Sequence, residues 1–151
     1  MSSVDRAIMQ ASAASRLALI AASYRRLAGE PLLGDGQELW FAPFAVVAHG
    51  TEAVPRFFYA NHAALALFAM KARSFVGMES RLSAPEEDRA ERAAMLARLE
   101  AADILTGYRG VRVGGDGRRF AIEDAVIWNL VDEAGARHGQ AALIRRTTPL
   151  A

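Results

Sequence analysis

Few side chains in this sequence could carry acid–base or metal chemistry. His49, His62 and His138 are the only imidazoles in 151 residues, and no His-x-x-x-His or Glu-x-x-His spacing joins them into a metal set. Cysteine is absent, which excludes disulfides, iron–sulfur clusters, thiolate zinc sites and a cysteinyl bond to a flavin. His49 closes an apolar run at the turn His49-Gly50-Thr51, where a hydrogen-bonded structural imidazole is more economical than a general base or haem ligand. His138 falls in a turn and reads as solvated. Gly114, Gly115 and Gly117 look superficially like a phosphate cradle, but no helix follows to supply its dipole, and a hairpin turn accounts for them better. With neither a triad nor a metal set, the sequence points to binding or sensing and away from an enzyme. A small lyase or isomerase using His49 or Glu123 is the third reading.

The elements that must position these residues fit one domain. Hydrophobic residues at 52% against 23% charged describe a chain that folds unaided, and its length allows an internal pocket. The net charge is +1, from 18 basic and 17 acidic residues, without the excess a nucleic-acid binder carries. Met1 to Asp5 lacks the basic start and apolar core of a signal peptide, and the longest apolar run, Leu39 to Ala48, is about half a membrane span, so no membrane association and a cytoplasmic location are expected.

Leu17, Ile20, Ala21, Tyr24 and Leu27 recur at helical spacing within Val4 to Ala28, which predicts an N-terminal amphipathic helix over 1–30, ended by Gly29 and Pro31. It either packs on its own domain or serves as a dimerising flank. A buried strand is predicted from Leu39 through Val47, and a second over Arg56 to Tyr59. Asn61 then caps a helix from Ala63 to Met70. A short helix over Lys71 to Val76 follows. Ser83-Ala84-Pro85-Glu86 reads as a capping box opening a helix to about Ala102, with Ala93, Leu96 and Leu99 inside and Arg89, Arg92 and Arg98 in solvent. Turn signals at Gly114-Gly115-Asp116-Gly117 and Asp132-Glu133-Ala134-Gly135 divide the last third into an antiparallel meander. Phe120, Ile122, Val126, Trp128 and Leu130 share one parity and are expected on one face.

Two strands, a helical middle and a three-stranded meander are the element order of a PAS fold. Phe58-Tyr59-Ala60-Asn61-His62-Ala63-Ala64 is similar to its strand-Asn-helix step, and Gly115-Asp116-Gly117-Arg118-Arg119-Phe120 to its Asp-Gly hairpin. Within that group the chain resembles the MEKHLA domain, on Ser23-Tyr24-Arg25-Arg26-Leu27, Ala42-Pro43-Phe44-Ala45, His49-Gly50-Thr51-Glu52, Ser80-Arg81-Leu82-Ser83-Ala84, Gly117-Arg118-Arg119-Phe120, Trp128-Asn129-Leu130 and Gly139-Gln140-Ala141-Ala142. The family occurs at the end of plant class III homeodomain-leucine zipper proteins and as a free-standing bacterial protein. This chain shows no homeodomain or zipper, so the plant transcriptional role does not carry over.

The resemblance implies an α+β, PAS-like single domain over 37–148: a five-stranded antiparallel sheet with helices on one face and the N-terminal helix flanking it. It implies a sensory or regulatory module, expected to bind an unknown small molecule between sheet and helices; separately, the Ala-rich stripe of the N-terminal helix leads to the expectation of a homodimer through that helix or the sheet. The alternative is a protein-interaction module with a filled core. In a PAS sheet Arg81, Tyr108, Arg112, Glu123, Asn129 and Gln140 are placed to face inward, and a buried charge must be paired or bind a ligand. Arg112 and Glu123 are expected to pair across their hairpin, and Arg81 to clamp a carboxylate or phosphate. Candidate ligand contacts are Arg81, Tyr59, Phe68, Tyr108, Arg112, Phe120, Glu123, Trp128 and Gln140. His62 is a remote candidate for a haem ligand, and the cofactor, if any, is unknown.

Overall fold

The computed structural model describes residues 3–151; Met1 and Ser2, the start of the expected flank over 1–30, lie outside the described residues. The flank is two helices, α1 (Ser3–Ala13) and α2 (Arg16–Ala28), not one. The break is at Ala14, whose φ of 49° is left-handed.

A single turn of 3₁₀ helix over Leu39–Phe41 replaces the beginning of the expected first strand, and β1 (Ala45–His49) starts only beyond Pro43. Proline has no N–H for a sheet ladder, which accounts for the late start. β2 (Phe57–Ala60) follows, then α3 (His62–Phe68) and α4 (Ala72–Phe75). Asn61 caps α3 as its sequence position implies: Oδ1 accepts from Ala64 N at 3.1 Å and from Val46 N at 3.0 Å. Its Nδ2 donates to the Leu39 and Phe44 carbonyls at 3.0 and 2.9 Å, so this buried amide joins α3, β1 and the 3₁₀ turn. The expected capping box is not formed. Ser83 turns its hydroxyl back to the Ser80 carbonyl at 2.7 Å, Glu86–Asp88 make a 3₁₀ turn, and α5 begins at Arg89 and runs to Ala101.

The meander is β3 (Ile104–Val113), β4 (Arg119–Val131) and β5 (Arg137–Ile144), and a further strand, β6 (Arg146–Pro149), pairs with β4. The antiparallel sheet therefore has six strands, one more than expected, in the order β2-β1-β5-β4-β3 with β6 beside the first half of β4. The glycine-rich turn packs on the end of α3: Gly115 N donates to the Phe68 carbonyl at 2.7 Å, and a Cβ at Gly115 would meet Met70 Cγ at 2.6 Å. Close approach explains that glycine without a phosphate.

Helices cover both faces of the sheet. The inner face, toward α3, α4 and α5, carries Val47, His49, Ile127, Gln140 and Ala142 in matching register. The outer face lies beneath α1 and α2. Ser12 Oγ donates to the Phe58 carbonyl at 2.7 Å, and Ser23 Oγ both donates to and accepts from the Val131 backbone, at 3.2 and 2.9 Å.

The expectation that β4 keeps one parity is corrected. Asp124 has φ of 53°, and Ile122 and Ala125 pair with Gly110 and Tyr108, so three steps on β4 meet two on β3. One extra residue reverses the alternation. Phe120 and Ile122 stay inside, whereas Trp128 faces outward, its ring edge-on to Tyr24 with centroids 5.0 Å apart.

Candidate functional site

Between α5 and the inner sheet face lies a cavity of about 40 Å³, lined by Val47, Phe68, Met95, Leu96 and Ile127 among other apolar side chains. Two guanidinium groups enter this apolar setting. Arg92 comes from α5 and Arg112 from β3, and they are only 7% and 6% exposed.

Arg92 is brought in by helical phase. Arg92, Met95, Leu96 and Leu99 follow the i, i+3, i+4, i+7 pattern of one helix face, and that face is the one turned to the sheet. The expected phase, with Ala93 inside and Arg92 in solvent, is corrected: Ala93 is exposed and Arg92 is buried. Its Nη2 donates to Ser80 Oγ at 2.8 Å. Burial first, and then the positive charge of Arg112, pull its pKa down to about 10, so it remains a cation at neutral pH.

Arg112 is brought in by strand parity. Tyr108, Gly110 and Arg112 alternate on the inner face of β3, and the two long side chains close over the glycine between them; a Cβ at Gly110 would lie 2.8 Å from the Tyr108 hydroxyl and 2.9 Å from Arg112 Nη1. Arg112 Nη2 donates to the Tyr108 hydroxyl at 3.1 Å, and that hydroxyl donates to Glu91 Oε2 at 2.8 Å. Burial raises the Tyr108 pKa, which keeps it a neutral donor. Glu91 thus touches Arg112 only through Tyr108. Neither Arg92 nor Arg112 forms a salt bridge among the described residues. The pairing expected between Arg112 and Glu123 is absent, because the hairpin register sets Phe120 opposite Arg112, while Glu123, three residues further along β4, pairs with Arg146 on β6.

Ser83, whose hydroxyl is committed to the Ser80 carbonyl, His49 and Gln140 supply the other polar lining. His49 Nδ1 lies 3.0 Å from the Gly50 carbonyl, which only accepts, so Nδ1 carries the proton and Nε2 is left as an acceptor. Burial lowers the His49 pKa to about 4, and the imidazole is neutral at physiological pH. Gln140 Nε2 donates to Asn129 Oδ1 at 3.0 Å, and Asn129 Nδ2 donates in turn to the Leu99 carbonyl and to Asp103. His49, Leu96 and Gln140 also border an open groove of about 460 Å³ between α5 and the β1–β2 loop. These three side chains separate groove from chamber.

The candidate contacts thus divide. Phe68, Arg112 and Gln140 line the chamber, Tyr108 orients Arg112, and Phe120 supports Phe68 edge-on with ring centroids 5.3 Å apart. Arg81 is half-exposed and bonded through Nε to Glu79 at 2.8 Å. Glu123 lines a shallow outer groove with Asp88, Glu91 and Arg109. Tyr59 and Trp128 lie on the outer side, Tyr59 against Leu17, Leu39 and Trp40. His62 packs beside Trp40, and His138 bonds Asp132 through Nε2 at 2.7 Å. Among the described residues no cluster of His, Asp or Glu is arranged to hold a metal, and no helix is long and apolar enough to cross a membrane.

No curated protein matches this sequence. Solved structures do. The PAS domain of a protein from Colwellia psychrerythraea superposes with a TM-score of 0.61 at 15% identity, over 70% of this chain and 87% of that one. A fungal LOV domain photoreceptor gives a TM-score of 0.60 at 17% identity, over 87% of this chain and 91% of that one. The photo-excited blue-light photoreceptor Vivid gives 0.60 at 14%, over 84% and 94% of the two chains. At such identities the likeness concerns the fold, and it agrees with the six-stranded sheet and its inner helices. The sequence itself matches the MEKHLA domain over residues 14–148, a span that includes α2, the first five strands, most of β6 and both arginines of the chamber, and the chain therefore belongs to the MEKHLA domain family, carried on a PAS-like fold.

Proposed function

We propose that this protein is a sensory or regulatory domain that admits a small molecule to the chamber between α5 and the inner face of the sheet, and does no chemistry on it. The observation carrying this reading is the pair Arg92 and Arg112, buried without an acidic partner beside free volume. A buried, unpaired cation is expensive to maintain for structure alone, and a ligand that completes its interactions accounts for it. A filled-core interaction module would leave that cost unexplained.

β4 offers a route for the signal. Ile127 forms chamber wall, while its neighbour Trp128 contacts α2 on the opposite face. A ligand that displaces β4 alters the seat of α2, which makes the N-terminal helices the output element.

One similar structure is named for a flavin analogue in a light-oxygen-voltage domain. Flavin does not fit this chain as it stands. A chamber of about 40 Å³ is far below the roughly 300 Å³ at which pockets for drug-sized ligands begin, and the sequence has no cysteine for an adduct.

Native mass spectrometry of freshly purified protein, with thermal unfolding across a library of charged and neutral metabolites, tests the reading. A ligand at about 100 times its Kd stabilises by about 2.7 kcal/mol, which should raise the Tm by roughly 5 °C or more. A chain that carries no small molecule and is shifted by none would instead be the filled-core module.

A further inference from the structure

We infer that the ligand is a short-chain monocarboxylate of two to four carbons, its carboxylate held between Arg92 and Arg112 and its alkyl end directed into the apolar part of the chamber. This rests on the ligand-binding reading above and supplies its chemical class.

Charge is the first ground. Arg92 is held by one neutral hydroxyl, Ser80 Oγ, so its remaining N–H groups have no partner among the described residues. Arg112 spends its Nη1 and Nη2 bonds on the Val111 carbonyl and the Tyr108 hydroxyl, both neutral, and Glu91 reaches it only beyond Tyr108. Two like charges near one another in an apolar interior favour an anion between them, and guanidinium forks match the two oxygens of a carboxylate. With the Arg112 charge answered at second hand by Glu91, one negative charge suffices.

Size and polarity narrow the class. At about 40 Å³ the chamber is small and suits a ligand of a few heavy atoms, on the scale of acetate to butyrate. Phosphate would bring four oxygens to a lining that, beyond the two arginines, offers only Ser83, His49 and Gln140 as polar groups, each already hydrogen-bonded, beside Val47, Phe68, Met95 and Ile127. A carboxylate brings two oxygens and an alkyl group that those walls suit. His49, neutral and with Nδ1–H committed to Gly50, adds no third positive charge. Leu96 bars longer chains from the groove outside unless it moves.

The test uses the full chain in a carboxylate-free buffer at fixed ionic strength, so that general screening is held constant. Isothermal titration and thermal unfolding are run with acetate, propionate, butyrate, propionamide and inorganic phosphate. Saturable binding of propionate, with propionamide at least 10-fold weaker, is expected. Arg92→Gln and Arg112→Gln should each weaken propionate by about 10- to 100-fold, whereas exposed Arg98→Gln should not. If a glutamine variant fails to fold, the ligand series on the unaltered chain still decides, and Arg92→Lys, keeping the charge without the fork, should bind propionate more weakly. Phosphate binding in preference to the carboxylates, or propionamide binding as tightly as propionate, overturns the inference and leaves the ligand-binding reading in place. Failure of every small molecule, charged or neutral, overturns both.

Discussion

The indole N–H of Trp128 donates to the backbone carbonyl of Ile20 at 3.1 Å, joining the middle of β4 to α2 through a side chain with no exposed surface. The Tyr24 ring stands against the same indole. Trp128→Phe removes the hydrogen bond and part of the packing, and Trp128→Ala leaves a large void; losses of about 1–2 and about 3–5 kcal/mol are expected in urea unfolding. Coupling through β4 should change binding to the chamber on the other face by no more than a few-fold in the phenylalanine variant, and a loss of affinity as large as that of Arg112→Gln would contradict the outward placement of Trp128.

Removing residues 1–30 should compromise the fold. The face beneath α1 and α2 carries Val46, Trp128 and Leu143, each 1% exposed or less. Exposing that patch invites aggregation. Analytical ultracentrifugation and dye binding of the truncated chain should show association or a loosened core. A truncated chain that stays monomeric and unfolds at the same denaturant concentration would make the flank dispensable.

His49 makes stability pH-dependent in a defined window. Burial holds its folded pKa near 4 against 6.5 for an ordinary histidine, so the unfolded chain takes up the proton first as pH falls. The stability contributed is fully present above about pH 6.5 and is lost between there and about pH 4, by about 3 kcal/mol at most. Carboxylates titrate in the same acid range, so the readout is the difference from His49→Gln. The variant should show a shallower fall in unfolding free energy between pH 6.5 and 4.5, and parallel curves would refute the assignment.

Asn61 separates capping from bridging. Asn61→Asp keeps an oxygen for Val46 N and Ala64 N but removes the two donors serving the Leu39 and Phe44 carbonyls, and sets a charge against them. A loss of about 2–4 kcal/mol is expected, at least as large as for a simple cap deletion in Asn61→Ala. Equilibrium unfolding of the two variants gives the comparison; an aspartate variant as stable as the parent would reduce Asn61 to a helix cap.

The chamber residues were only partly legible in the sequence, and the reasons are local. Arg112 was within reach because it alternates with Tyr108 on a strand bounded by a clear turn. Arg92 carries its signal in the sequence, since it is in phase with Met95, Leu96 and Leu99, but its charge argues for solvent and favours a phase one residue away, through Ala93. Unbroken alternation along β4 would place Trp128 on the chamber side. Asp124 interrupts it with a left-handed backbone, a conformation that aspartate tolerates but that its presence does not announce.

By itself the sequence determined the elements whose causes are local. Turn chemistry at Asp116-Gly117 and Asp132-Gly135, the Asn61 cap and the apolar rhythm of α2 each act over a few residues, and together they specify an α+β meander and its family. Which side chains meet was decided by tertiary structure. The chamber exists because α5 from the middle of the chain and β3 from its last third bring Arg92 and Arg112 to the same interior, and because one extra residue in β4 turns Trp128 toward α2. Such contacts depend on helix phase and strand register summed over many residues. A shift of one residue, invisible in local propensity, exchanges a chamber-lining side chain for a surface charge.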